Sequence, residues 1–190
     1  RDNVCNYLDI ALQHVSDPVL QRMRRNVSSK ETIELIRRIR DEVPGIHLRT
    51  TLLTGFPGES EADFEALMNF VKTMRFERMG AFPYSEEEGT YSALHYYDDI
   101  PFEVKQARVD QLMEIQQQIS EELNRAKIGS VLRVIIDGEE GDCYVGRTEF
   151  DSPEVDPEVL ISKNKILNIG EFYEVKIVDA EAFELMGEVL

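Results

Sequence analysis

The chain has 190 residues, 42% of them hydrophobic, and a formal net charge of -16 at pH 7. This composition fits a globular protein with a buried core, and the negative charge argues against a chain that grips a phosphate backbone on its own. The sequence has no run of about 18 apolar residues, so no membrane span is predicted. The segment that starts at Arg1 has no signal-peptide pattern. Cys5 and Cys143 lack metal-ligand spacing. We expect both to be buried reduced thiols, which favours a cytoplasmic protein.

The first hundred residues alternate between strand and helix patterns. Strands are predicted at residues 7–10, 46–54 and 76–84, and helices at residues 28–43 and after Ser60. Ser28 with Glu31 forms a capping box at the start of the first of these helices. Strand, helix and strand in this order are typical of parallel βα units.

The hydrophobic pattern of the second half of the chain differs from that of the first half. Residues 85–99 are polar and predict a loop, and Asp98 or Asp99 is expected to cap a long helix that opens with Pro101 and closes at Gly129. About five short strands follow, with a turn predicted at residues 137–138. They indicate a small barrel, which carries 15 acidic and 5 basic residues from Gly129 onward.

Residues 54–59 form what we call the strand-end turn, because they lie between a predicted strand and a predicted helix. Open backbone amides at Gly55 and Gly58 can hold an anion or a nucleoside there, although a plain tight turn is the more common explanation for an isolated glycine motif. In (βα)-barrel enzymes the active site lies at the carboxyl ends of the strands.

Four other polar residues are candidates for ligand contacts. Gln13 can bond a ribose hydroxyl or a carboxylate, and His14 can contact a ligand or be structural. Arg24, in a cluster of arginines at residues 22–25, can clamp a carboxylate or be solvated. Arg49 lies within an apolar strand and needs a partner, which is either a ligand or an ion-pairing side chain.

Six segments together resemble a known family, the RimO-type radical S-adenosylmethionine methylthiotransferases. The segments are residues 7–14 (YLDIALQH), 23–25 (MRR), 48–51 (LRTT), 55–59 (GFPGE), 84–90 (YSEEEGT) and, resembling the family's TRAM domain, 144–153 (YVGRTEFDSP). The resemblance implies the C-terminal half of a radical SAM, TIM-like βα barrel at residues 1–99. A long helix at residues 100–128 and a five-stranded OB-like TRAM barrel at residues 129–190 are implied after it.

The same resemblance implies an activity and its cofactors. The whole enzyme methylthiolates the β-carbon of an aspartate in a basic small-subunit ribosomal protein, using S-adenosylmethionine and two 4Fe-4S clusters. The implied cofactor-binding residues are Gln13, His14, Arg24, Arg49, Thr51, Gly55, Gly58, Glu59 and Tyr84. No catalytic or metal-binding residue is implied in this chain. We expect the acidic barrel to dock the basic substrate.

The sequence departs from the family pattern in two ways. Ala11 stands where the family usually has Pro, and the cluster-binding CxxxCxxC motif is absent. We therefore expect the motif to lie upstream of Arg1 and this fragment to be inactive alone. The alternatives are a transfer-RNA methylthiotransferase, whose barrel needs a basic stripe, and a non-catalytic module that binds RNA or protein.

Overall fold

The structure is a computed structural model that describes residues 4–153 and 155–190. The chain divides into two compact units, the first being Leu8–Gln116 and the second being formed mainly by Gln117–Leu190. The boundary between the two falls inside one long helix. No helix in the described ranges is both long and apolar enough to cross a membrane.

The first unit is built on a three-stranded sheet with the order β1-β2-β3, in which β2 and β3 are parallel. Its elements are β1 (Tyr7–Gln13), α1 (Asp17–Arg22), α2 (Ser29–Glu42), β2 (His47–Thr54), α3 (Glu61–Met74), β3 (Arg78–Pro83), α4 (Tyr91–His95) and the start of α5 (Phe102–Arg125). This arrangement confirms the predicted βα units.

Burial alternates along β2, as a period of two requires for a strand with one covered face. Leu48, Thr50, Leu52 and Thr54 are buried, whereas Arg49, Thr51 and Leu53 are half-buried on the opposite face. The half-buried face of the sheet is therefore the one on which ligand contacts can be made.

The helices begin where their capping residues predict. At α2, Ser28 and Glu31 bond each other's backbone amides, and Ser60 and Asp63 do the same at α3. The buried face of α3 includes Phe64, Leu67 and Val71, as predicted from helical spacing.

The predicted loop at residues 85–99 is partly wrong, since it contains α4, which Thr90 caps with its hydroxyl. Asp98 and Asp99 do not lie at the start of α5, which begins at Phe102. Their carboxylates bond Lys105 Nζ and the Gly58 amide instead.

The second unit contains a closed five-stranded barrel with the order β4-β5-β6-β8-β7. Its strands are β4 (Val131–Glu140), β5 (Cys143–Thr148), β6 (Glu158–Ser162), β7 (Phe172–Ala180) and β8 (Glu184–Val189). Alternate residues fill the interior, where Val134, Ile136, Val159, Ile161, Val175 and Ile177 are fully buried. The predicted five-stranded barrel is confirmed.

The turn predicted at residues 137–138 is wrong. β4 continues through both residues to Glu140 and pairs with β5 across a bulge between Ile136 and Gly138. An extra residue in one strand lets it bend without ending the pairing.

The carboxyl of Asp63 supplies a pH-dependent contribution to the stability of the first unit. Burial raises the pKa of Asp63, but hydrogen bonds from Ser16 and Ser60 outweigh it, so the pKa lies below its ordinary value. A lowered carboxyl pKa stabilises the fold above the unfolded-state pKa of about 4 and less as pH falls through the folded-state pKa.

We therefore expect the difference in unfolding free energy between the natural chain and Asp63→Asn to shrink as the pH falls below about 4. Urea unfolding at pH 3 to 7 measures it. Ser60→Ala, which removes one donor, is expected to reduce the pH dependence. A difference that grows on acidification contradicts the assignment.

Candidate functional site

A cavity of about 310 Å³ opens where β1 and β2 end. We call it the arginine-lined cavity. Its lining comes from the end of β1, the segment around the end of α1, the end of β2 and the start of α4, and consists of Gln13, Arg22, Met23, Arg24, Arg25, Leu53, Phe56, Thr90, Tyr91 and Ser92. The volume is at the lower end of the range for small-molecule sites.

The lining has three arginines and no acidic residue, in a chain whose acids outnumber its bases by 37 to 21. Arg22 Nε donates to the Pro57 carbonyl at 2.8 Å, and Arg25 Nη2 donates to the Ala11 carbonyl at 2.7 Å. These bonds hold two of the three guanidinium groups at the rim. The local charge favours an anionic group, because an arginine side chain can bind a carboxylate or phosphate bidentately.

Arg24 differs from its two neighbours. Its guanidinium lies 4.5 Å from the centroid of the Tyr91 ring, and no residue in the described part of the chain accepts a hydrogen bond from it or pairs with it. The stacking holds the planar group while leaving its N–H donors directed to the sides. Arg24 is thus the arginine of this cavity best able to bind a ligand carboxylate.

Backbone strain occurs at the same place. Arg24, with φ of 58°, follows the last turn of α1 and has the left-handed backbone that commonly ends a helix, since its amide donates to the Gln21 carbonyl and the Arg25 amide to the Leu20 carbonyl. Gln13, with φ of 68°, has the same left-handed backbone at the end of a strand, which side chains other than glycine rarely adopt. Such a conformation costs about 1–2 kcal/mol. Strain of this kind is often found at ligand sites, where the surrounding structure maintains it.

The interpretation of the strand-end turn as a set of open amides is wrong. The Gly55 amide donates to Glu59 Oε2 at 2.7 Å, and the Gly58 amide donates to Asp99 Oδ1 at 2.9 Å. Both donors are therefore used within the protein. Of this turn, only Phe56 lines the cavity.

The two glycines serve the packing of the turn. Both have positive φ, 71° and 81°, and a Cβ at Gly55 would overlap the side chain of Lys105. A Cβ at Gly58 would lie 2.7 Å from Arg22 Cζ. Close approach of these two basic side chains, together with the backbone conformation, requires glycine at each position.

Glu59 and His14 lie in the interior, outside the cavity lining. Glu59 Oε1 accepts from Arg108 Nη1 at 2.8 Å, and its Oε2 lies 3.6 Å from His14 Nε2. The Ser16 amide donates to His14 Nδ1 at 2.9 Å, so Nδ1 is an acceptor and Nε2 is the ring nitrogen that faces Glu59. These residues support the strand ends from behind.

The other predicted site residues lie around the cavity or on the sheet. Tyr84 is buried, and its hydroxyl lies 2.7 Å from that of Ser92, a lining residue. Arg49 pairs with Asp9 at 2.9 Å, so its predicted need for a partner is met by a side chain. Arg49 and Thr51 lie on the half-buried face of β2 and do not line the cavity.

Sequence reasoning missed Lys105 and Arg108 of α5, which grip the strand-end turn. The sequence could have indicated them by their spacing. They precede Leu112, a buried residue of α5, by seven and four positions, so they lie on the same buried face of the helix.

Cys5 and Cys143 do not fit a 4Fe-4S cluster, which needs thiolates at set positions, because two cysteines cannot supply three ligands. Cys5 is exposed and Cys143 is half-buried, so the prediction that both are buried is wrong. Within residues 4–153 and 155–190, no three His, Cys, Asp or Glu side chains form a group that could hold a metal ion. No step involving a cluster is therefore assigned to this chain.

The contact between Gly55 and Lys105 is directly testable. We expect Gly55→Ala to destabilise the first unit by about 1–3 kcal/mol more than Gly45→Ala, because overpacking adds to the cost of the positive φ. Gly45 is the matched control, with φ of 79° and no atom within 4 Å of the place that an added methyl group would take. Urea unfolding of both variants measures the difference, and equal losses would show that Lys105 does not restrict residue 55.

Two family descriptions match the chain. Residues 1–71 match the radical SAM superfamily, and residues 128–190 match the TRAM domain. The solved structure of Escherichia coli coproporphyrinogen III oxidase (HemN), a radical SAM enzyme, aligns with 76% of this chain and 41% of its own at a TM-score of 0.51. Because only 14% of aligned residues are identical, this likeness shows the fold alone.

Curated relatives are much more similar in sequence. Proteins named ribosomal protein uS12 methylthiotransferase RimO are 64% identical in Parabacteroides distasonis and 63% identical in Bacteroides fragilis, each over 100% of this chain. The Flavobacterium johnsoniae protein of that name is 52% identical over 97% of the chain. The chain spans 44% of the length of the first two relatives and 42% of the third. The predicted fold class is confirmed, and the chain belongs to the RimO family, of which it contains radical SAM and TRAM portions.

Proposed function

We propose that the protein to which this chain belongs is a radical SAM methylthiotransferase that modifies an aspartate of ribosomal protein uS12 in the cytoplasm. The relatives that carry this activity in their names match the chain from end to end. The structural observation that supports it is the arginine-lined cavity, which has no acidic residue and lies at the ends of two strands of a radical SAM fold.

The cavity residues suit the parts of S-adenosylmethionine. Arg24, stacked on Tyr91, binds the carboxylate, Gln13 bonds a ribose hydroxyl, and Phe56 offers a ring surface to adenine. Bound S-adenosylmethionine supplies the radical and the methyl group for the reaction, and the protein orients it. His14, Gly55, Gly58, Glu59 and Tyr84 shape the walls from behind.

Arg49 and Thr51 are proposed as further contacts because they lie on the same strand as the lining residue Leu53, at alternate positions. Residues two apart on a strand point to the same face. A ligand that extends along this face from the cavity would meet them.

Arg24→Met in the intact protein is expected to weaken binding of S-adenosylhomocysteine roughly tenfold or more, because a hydrogen-bonded charge pair is lost. Isothermal titration calorimetry measures the Kd. Arg38→Met is the control, since Arg38 is exposed on α2 and pairs only loosely with Glu42 at 3.8 Å. Arg49→Ala is measured in parallel, and unchanged affinity would remove Arg49 from the site.

The barrel is proposed to dock the basic substrate. From Gly129 onward the chain has a net charge of -10. Arg147 and Lys163, two of its five bases, are engaged by Asp137 at 2.9 Å and Glu139 at 2.7 Å. The hydrogen bond to Glu139 also raises the pKa of Lys163. Because the barrel has an excess of acidic residues and two of its basic side chains are already paired, a basic protein is favoured over RNA as the partner.

A titration separates this substrate from transfer RNA. We expect uS12 to bind the intact protein and to bind more weakly as salt is raised, because opposite charges are screened. Transfer RNA is expected to bind at least roughly tenfold more weakly at the same salt. Fluorescence anisotropy at 50 and 200 mM salt measures both. Tight RNA binding with a steep salt dependence would favour the transfer-RNA enzyme instead.

A further inference from the structure

Two basic side chains of α5 are buried although neither touches the arginine-lined cavity. Lys105 is 3% exposed and Arg108 is 5% exposed. Buried charges are costly unless they are paired and hydrogen-bonded, so their partners indicate what they hold. All of those partners lie at or beside the strand-end turn.

Arg108 holds the far end of the turn. Its Nη1 donates to Glu59 Oε1 at 2.8 Å and its Nη2 donates to Glu61 Oε1 at 2.5 Å. Because Glu59 Oε2 accepts the Gly55 amide at 2.7 Å, the Glu59 carboxylate joins Arg108 to the beginning of the turn. One guanidinium thereby constrains both ends of the loop that carries Phe56.

Lys105 holds the near end. Its carbonyl accepts a hydrogen bond from the Thr54 hydroxyl at 3.0 Å, and its side chain passes directly over Gly55. Its Nζ donates to Asp98 at 2.5 Å and to the Tyr84 carbonyl at 3.2 Å. Lys105 thus links the turn to the residue that follows β3.

Phe56 is the residue whose position depends on these contacts. It lies between the two anchored ends of the turn and is 5% exposed. Its ring meets the Tyr84 ring edge-on, with 5.0 Å between centroids, and forms part of the cavity wall. A shift of the turn would move this ring within the cavity.

We propose that Lys105 and Arg108 are positioning residues for the cofactor cavity. They fix the strand-end turn, and through it Phe56, without touching the ligand. Burying such pairs adds little net stability compared with apolar residues of similar size. Their contribution is the defined geometry of the turn. The inference rests on the proposed function, because it assigns these residues to binding of S-adenosylmethionine.

The test uses the intact protein with Arg108→Met and Arg108→Lys. Arg125→Met is the matched control, because Arg125 is on the same helix and pairs with Glu121 at 3.0 Å, but both side chains are about half exposed. Two readouts are the Kd for S-adenosylhomocysteine and the hydrogen exchange of a peptide covering residues 54–59. Circular dichroism verifies that each variant is folded.

We expect Arg108→Met to weaken the affinity by at least roughly tenfold, as when supporting partners of binding groups are removed elsewhere. Exchange at residues 54–59 should accelerate, because the Gly55 amide loses its fixed acceptor. Arg108→Lys keeps the positive charge, but a lysine ammonium cannot reproduce the two separate hydrogen bonds of the guanidinium to Glu59 and Glu61. An intermediate effect is therefore expected. It also provides the test if Arg108→Met does not fold. The control should change neither readout.

The two proposals fail in different ways. Exchange and affinity that both stay unchanged in a folded Arg108 variant would overturn the positioning role. Faster exchange with unchanged affinity would overturn it as well, since the turn would then move without affecting the ligand. If the natural protein does not bind S-adenosylhomocysteine, the proposed cofactor is refuted, and the positioning role in cofactor binding is refuted with it.

Discussion

The carboxylate of Glu59 is the group on which the geometry of the first unit's candidate site depends. It is buried, accepts the Gly55 amide and the Arg108 guanidinium, and faces His14 at the end of β1. An ionised carboxylate without partners would be expensive to bury, so the fold must supply donors from several elements at once. The consequence is that β1, the strand-end turn and α5 have a defined arrangement at this point.

The charges on the two sides of the strand-end turn differ. Behind the turn, Lys105 and Arg108 are each paired with carboxylates. In the cavity lining, three arginines meet no acid, although the chain as a whole is strongly acidic. Arg24 and Arg25 are exposed to solvent, and this excess of positive charge supports the proposal of an anionic ligand. The strained backbone of Gln13 occurs in the same lining and supports the same proposal.

Local signals predicted most elements correctly. The capping boxes at Ser28 and Ser60 act through residues three positions apart, and the alternation of β4 reflects one buried face. Short helices such as α1 and α4 were not predicted, because six or five residues contain little periodicity. Asp137-Gly138 has the composition of a turn, but pairing with β5 keeps it in the strand as a bulge.

The sequence by itself determined the family, the βα units and the five-stranded barrel, because order and spacing along the chain carry that information. Of the residues it named as cofactor contacts, Gln13 and Arg24 line the cavity. Only the tertiary structure decided the roles of the residues around the strand-end turn. It engaged the amides of Gly55 and Gly58, placed Glu59 in the interior and brought Lys105 and Arg108 to the turn. Apart from the bond between Gly55 and Glu59 within the turn, these contacts join residues about 40 to 50 positions apart. Over such distances neither helical nor strand periodicity relates one side chain to another.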